Sequence, residues 1–236
     1  MLKALLSSFF VMVAMIALGF FLEKKGMTNK TVNKGLTDIL IDVALPFNML
    51  ASSQRLFVRE TGQGIICTFI IASLYFPLAL LCSKSLAKML KVPSQKRGSF
   101  ISSSVIMNTG FLGFPLAESL YGQEGVLCAI PFTLVVNFFL FGFCIRLFDE
   151  KAEFSLKKVL SPAVIASVIT IIVYFTQIKF PKPITDICTS MGALMTPVSM
   201  LLIGTSLVGV NIKEIFSDLH AYETCVIRLV LYPLVI

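Results

Sequence analysis

Asn108-Thr-Gly-Phe-Leu-Gly-Phe-Pro115 is the stretch on which the fold turns. It lies inside Ser99–Ala117, a run without a charged side chain that is followed by Glu118. A helix of that length covers the roughly 30 Å hydrocarbon core of a bilayer. Inside it, Pro115 has no N–H, and its ring opposes the carbonyl of Phe111. Gly110 and Gly113 weaken the helix further. Together they predict a break near mid-membrane. Non-helical backbone at that depth is tolerated only where protein or a water-filled cavity satisfies it. A break bares the amino end of a second half-helix, whose partial positive charge favours anions such as carboxylates. Asn108 and Thr109 add donors and acceptors at the same place. The alternative is a plain Gly/Pro kink with close helix packing, since both residues are frequent in membrane helices.

Similar runs flank this one. They are Ala4–Leu22, Leu36–Gln54 (weakened by Asp38 and Asp42), Thr61–Ser83, Gly125–Ile145, Val159–Ile178 and Ile187–Ile212, with an eighth from Ala221 to Ile236. In lipid every backbone group needs an internal partner, and none of these runs alternates like a barrel strand, so helices are the default. The expectation is an all-α, polytopic membrane protein with seven full spans and a partial eighth. Composition agrees. The 236 residues are 56% hydrophobic and 14% charged, with a mean hydropathy of +0.89. A soluble domain carries about 25% charged residues. The apolar ending Leu229-Val-Leu-Tyr-Pro-Leu-Val-Ile236 reads as a fragment of a longer chain.

The net charge of +7 is a topology signal. Loops after the odd-numbered spans hold Lys24, Lys25, Lys30 and Lys34; Lys84, Lys88, Lys91, Lys96 and Arg97; Arg146, Lys151, Lys157 and Lys158; and Lys213. The opposite side holds Lys3, Arg55, Arg59, Lys179 and Lys182, and Arg228 lies inside span eight. The bias places the odd loops in the cytoplasm and the N-terminus outside, in the cell membrane. No basic segment is large enough to fold as a nucleic-acid module. The six cysteines form no C-x-x-C pair and read as small buried hydrophobes rather than disulfides or metal ligands. A single histidine, His220, excludes a multi-histidine metal site.

Span two holds Pro46-Phe-Asn-Met-Leu50 and span seven holds Pro197-Val-Ser-Met-Leu201. The two P-x-x-M-L copies are five spans apart, an odd offset, so they cross the membrane in opposite directions, as in inverted-topology repeats. This predicts a first five-helix repeat over 1–150 and an incomplete second over 151–236.

Asn108-Thr-Gly-Phe-Leu-Gly-Phe-Pro-Leu116 resembles the span-four signature of the auxin efflux carrier family, which includes PIN-like carriers and bacterial malate and malonate permeases. Asp42–Leu50, Pro197–Leu207 and Ile227–Pro233 resemble that family's second, seventh and eighth spans, in order along the chain. The resemblance implies ten helices in two inverted five-helix repeats, with helices four and nine broken and crossing at the substrate site. Helices one, two, six and seven would form a scaffold, and three to five and eight to ten a transport domain. It implies that Asn108, Gly110, Gly113 and Pro115 belong to the first crossing, and that the protein dimerises.

Other polar residues have two readings each. Asp38 and Asp42 share a helix face. Asp42 is a candidate for coupling to a proton or cation, or a carboxylate near the cytoplasmic interface beside lysines such as Lys34. Asn48 and Ser52 line a cavity or hydrogen-bond a neighbouring helix. Asn137, midway along span five, is a candidate substrate ligand. Glu118 is expected to be solvated. The expected activity is alternating-access transport of small organic anions, such as dicarboxylates or auxin-like carboxylates. The substrate-binding set is Asn108, Thr109, Gly110, Gly113, Pro115, Asn137, Asn48 and Ser52, with no cofactor and no metal. A membrane receptor of the same fold, or an inactive fragment, is the alternative. No G-x-S-x-G, H-E-x-x-H or P-loop suggests an enzyme.

Overall fold

A computed structural model describes residues 2–141, 160–210 and 219–235. All regular elements among the described residues are helical. In chain order they are α1 (Leu2–Lys24), α2 (Lys30–Ile39), a π-helical turn (Leu40–Ala44), α3 (Leu45–Ser52), α4 (Arg59–Met89), α5 (Ser94–Val105), a second π-helical turn (Thr109–Gly113), α6 (Phe114–Phe139), α7 (Pro162–Thr176), α8 (Lys182–Gly192), α9 (Met195–Val208), α10 (Leu219–Val226), a third π-helical turn (Ile227–Leu231) and α11 (Tyr232–Val235). Among the described residues, five helical stretches are long and apolar enough to cross a membrane: Leu6–Lys24, Lys30–Ser52, Arg59–Met89, Ser94–Phe139 and Lys182–Val208. Pro162–Thr176 is apolar but shorter.

The stretch Ser94–Phe139 is not one rod. Gly122 sits at φ 61°, ψ −151°, outside helical space, and divides α6 into 114–121 and 123–139. The two limbs fold against each other. A Cβ on Gly125 would lie 2.3 Å from the carbonyl oxygen of Ala117, eight residues earlier. Along a straight helix those positions would be about 12 Å apart. Spans four and five of the sequence reading therefore meet at Gly122.

The three π-helical turns share a cause. Each ends two residues before a proline. Leu45 donates to the carbonyl of Leu40 ahead of Pro46, Phe114 to Thr109 ahead of Pro115, and Tyr232 to Ile227 ahead of Pro233. The wider turn makes room for a proline ring that would otherwise meet the carbonyl four residues back.

The contacts divide the chain into two units. The first comprises Met1–Ile66, Asn108–Thr133 and Leu160–Val210. Its core joins Leu40, Met49, Phe114, Leu127, Tyr174 and Met195, among others. Glycines set its closest approaches. A Cβ on Gly204 would lie 2.0 Å from the carbonyl oxygen of Ile16, and one on Gly19 would lie 2.2 Å from that of Leu201, so α1 and α9 touch backbone to backbone. Gly192 does the same against Asn48, where a Cβ would be 2.7 Å from the Asn48 Cα.

In this unit α3 runs antiparallel to α8. Asn48 reaches Gly192, whereas Gln54, further along, meets Phe180, earlier in the chain. The motif residues pack as counterparts: Met49 and Met200 are both fully buried, as are Asn48 and Ser199. Lys179 Nζ donates to the carbonyls of Gln54 and Arg55 at 3.0 and 3.2 Å, and Phe57 N–H donates to Gln177 Oε1 at 3.0 Å. The loops after spans two and six therefore sit at one end of the unit.

The second unit comprises Cys67–Met107, Leu134–Val159 and Asn211–Ile236. Here Tyr232 anchors the chain end to α4. Its hydroxyl donates to the carbonyl of Ala79 at 2.9 Å and is hydrogen-bonded to Ser83, with Tyr75 packed edge-on at 6.0 Å. Arg228 reaches the carbonyl of Ser103 at 3.5 Å. Spans one, two, six and seven fall in the first unit. Spans three to five are divided between the units, whereas the family resemblance groups them together.

Candidate functional site

Span four is interrupted, but not where the glycines and proline predict. Helix α5 ends at Val105, and Ile106 is extended (φ −82°, ψ 125°). Helical geometry resumes at Thr109. Asn108 (φ −80°, ψ 72°) caps the new helix, its Oδ1 accepting the amide hydrogen of Phe111 at 3.0 Å. The Asn108 carbonyl takes the amides of Leu112 at 3.4 Å and Gly113 at 3.1 Å. The unwound segment is therefore Ile106–Asn108. Gly110, Gly113 and Pro115 lie in the first turns of the second half-helix, because the asparagine cap and the wide turn before Pro115 satisfy the backbone there. The amides of Thr109 and Gly110 precede the first intrahelical hydrogen bond and stand at the positive end of the helix dipole.

Of the other predicted residues, Gly110 faces open space, with nothing within 4 Å of a Cβ built there. Pro115 is buried in the first unit. Gly113 alone of the motif lines an apolar cavity of about 580 Å³ that runs along Leu116, Ala117 and Leu120 to Glu124, Cys128 and the start of α4 at Glu60 and Thr61. Asn48 and Ser52 are buried on α3 and do not line that cavity. Ser52 donates to the Met49 carbonyl at 2.6 Å, and Asn48 Nδ2 donates to the Gly192 carbonyl at 3.5 Å. Asn137 belongs to the second unit. Asp42 lies on the first π-helical turn and, like Asp38, is exposed.

Glu118 departs from the expectation of a solvated side chain. Gln123 Nε2 donates to its Oε1 at 2.7 Å and Thr196 Oγ1 to its Oε2 at 3.3 Å, tying the Gly122 turn to α9. The sequence reading also missed Gly122, Gly125 and the glycines of the α1–α9 contact. Among the described residues no group of three or more His, Cys, Asp or Glu side chains is placed to hold a metal. Five cysteines, Cys67, Cys82, Cys128, Cys188 and Cys225, are free. Cys144 lies outside the described residues.

A set of apolar, membrane-length helices, one of them interrupted and restarted on an asparagine cap, defines a multi-pass membrane protein. The family model described as "Membrane transport protein" matches residues 4–158 and 152–236, and the chain belongs to that family, the auxin efflux carrier family. It is 27% identical over 213 residues to the uncharacterized transporter MJ1031 of Methanocaldococcus jannaschii, a match covering 84% of this chain and 67% of the relative. It is 24% identical over 118 residues to an uncharacterized transporter of Methanothermobacter thermautotrophicus, covering 50% of this chain and 39% of the relative.

Proposed function

We propose that this chain is the greater part of a secondary active transporter, a permease that moves small organic anions across the cytoplasmic membrane by alternating access. The observation that carries the proposal is the restart of span four at Thr109. Two amides without intrahelical acceptors, an asparagine cap and a helix dipole there face the unwound segment, and such an amino end is suited to a carboxylate. Thr109 adds a hydroxyl, and Gly110 leaves the approach open. Dicarboxylates or auxin-like carboxylates are the substrate class. Asn48, Ser52 and Asn137 serve as helix-packing or second-line polar residues in this reading, and Asp42 is the candidate for coupling.

In the same reading residues 1–150 form one five-helix repeat and 151–236 part of its inverted copy. The antiparallel α3 and α8, with the buried Met49 and Met200 at matching positions, support that arrangement. The N-terminus lies outside, the protein is a homodimer, and the whole transporter extends the pattern with the partner crossing helix. The test is uptake or efflux of radiolabelled dicarboxylate by the full-length protein in vesicles. Asn108→Ala and Pro115→Ala are expected to lower flux at least tenfold with membrane expression unchanged. Wild-type flux in both variants rejects the site.

A further inference from the structure

The second unit holds a groove of about 740 Å³ between α5 and the stretch from α10 into the third π-helical turn. One face of each helix forms its walls. Ser99 and Ser103 stand one turn apart on α5, opposite Thr224 and Arg228. The rings of Phe100 and His220 meet edge-on at 6.3 Å, and Arg228 Nη1 reaches the Ser103 carbonyl at 3.5 Å. The two faces therefore run side by side in the same direction.

Arg228 sets the chemistry of the groove. Span four carries no charged side chain between Arg97 and Glu118, and Ser103 lies six residues, roughly 9 Å of helix rise, inside that run. A guanidinium at such a depth is costly unless its five N–H donors are paired. Among the described residues the long bond to Ser103 is its one hydrogen bond, and no carboxylate pairs with it. The Ser99 and Ser103 hydroxyls are exposed beside it and find no acceptor among the described residues. Thr224 gives its proton to the His220 carbonyl at 2.8 Å. No acidic side chain lines the groove, and Glu223 next to it faces His220 Nδ1 at 2.8 Å. Lys96 lines the groove one turn before Phe100 and is engaged with another group. Arg228 is thus the cation left to be matched.

Phe100, Cys225 and Leu229 give the same groove an apolar side, with Leu229 71% exposed. A small soluble anion would meet the donors and leave that side bare. A phospholipid meets both. Its phosphate accepts from a guanidinium and hydroxyls, and its acyl chains lie on the apolar side chains. Lys91, Lys96 and Arg97 crowd that end of α5, which disfavours a headgroup bearing an ammonium.

We propose that this groove binds one anionic phospholipid, its phosphate held by Arg228 with Ser99 and Ser103. The site rests on the membrane-spanning helices and stands whether or not a carboxylate binds at Thr109.

The test is native mass spectrometry of the full-length protein, delipidated in detergent and titrated with dioleoylphosphatidylglycerol or dioleoylphosphatidylcholine. One phosphatidylglycerol per chain is expected to be retained, with phosphatidylcholine at least fivefold weaker. Arg228→Gln should weaken phosphatidylglycerol at least fivefold and leave phosphatidylcholine unchanged. Ser99→Asp, which sets a negative charge beside the phosphate, should do the same and keeps the test open if Arg228→Gln fails to fold. Lys91→Gln, outside the groove, should change affinity less than twofold. Equal affinity for the two lipids overturns the proposal, as does wild-type affinity in a folded groove variant. An equal loss in Lys91→Gln overturns it in favour of diffuse attraction to a basic loop. Displacement of the lipid by millimolar inorganic phosphate or succinate also overturns it and makes the groove a site for free anions.

Discussion

Asn108 Oδ1 accepts the amide hydrogen of Phe111 at 3.0 Å, and this one contact sets where the second half of span four begins. Cap and anion site are the same few atoms, so their roles separate only in a substitution that keeps the cap and changes the charge. Asn108→Asp keeps an excellent capping oxygen while placing a negative charge where a carboxylate would bind. Thermal stability is expected within about 0.5 kcal/mol of wild type, because aspartate and asparagine rank alike as caps. Anion flux should fall at least tenfold. Asn108→Ala should lose about 1 kcal/mol with the cap and lose flux too. Full flux in Asn108→Asp would sink the anion assignment while leaving the cap in place.

The α1–α9 contact predicts a different kind of failure. A Cβ on Gly204 would overlap the Ile16 carbonyl oxygen at 2.0 Å, and the obstacle is backbone that cannot rotate away. Gly204→Ala forces the helices apart, at a cost of roughly 1–3 kcal/mol or more on the scale of overpacked cores. The expected result is a lower unfolding temperature in detergent and reduced yield. Gly110→Ala serves as the control, since open space surrounds that position. Equal effects of the two substitutions would contradict the close approach.

How much of this was legible beforehand follows from which forces act locally. The apolar runs showed the helices because a bilayer leaves no other partner for the backbone. Gly122 fell inside the expected loop between spans four and five. The break in span four was foreseen but displaced towards Gly110 and Pro115. Residue-by-residue propensity registers a proline's clash but not the π-helical turn and side-chain cap that relieve it. The Gly19, Gly192 and Gly204 contacts were not legible, because they depend on which helices meet. Glu118 read as a solvated carboxylate since nothing in the local sequence shows that Gln123 folds back across Gly122 and that Thr196 approaches from α9.

Gly122 itself carries a test. Its φ of 61° with ψ of −151° is a conformation that a side chain disfavours, although space around it is open. The cost is therefore conformational rather than steric crowding by neighbours. Gly122→Ala is expected to destabilise the chain by about 1–3 kcal/mol, read as a lower unfolding midpoint. Gly35→Ala, in the helix α2 with nothing nearby, should be neutral or slightly stabilising. If Gly122→Ala is as well tolerated as Gly35→Ala, the hairpin between the two limbs of α6 is not formed as described.

Orientation gives a prediction that joins charge to contact. Lys179 holds the carbonyls of Gln54 and Arg55, so the loops after spans two and six share one end of the first unit. That end carries Arg55, Arg59, Lys179 and Lys182, far fewer basic residues than the loops after spans one, three and five. Basic loops are retained in the cytoplasm, so the sparser end is expected outside. Lys182→Cys, at the exposed start of α8, should be labelled in intact cells by a membrane-impermeant maleimide. Lys25→Cys, on the exposed turn after α1, and Gln95→Cys, in the exposed first turn of α5, both on the richer side, should be labelled only after lysis. The unsubstituted chain, with its native cysteines, sets the background. The reverse pattern would place the N-terminus inside, and labelling of all three in intact cells would mean that the two loop sets do not lie on opposite sides of a bilayer.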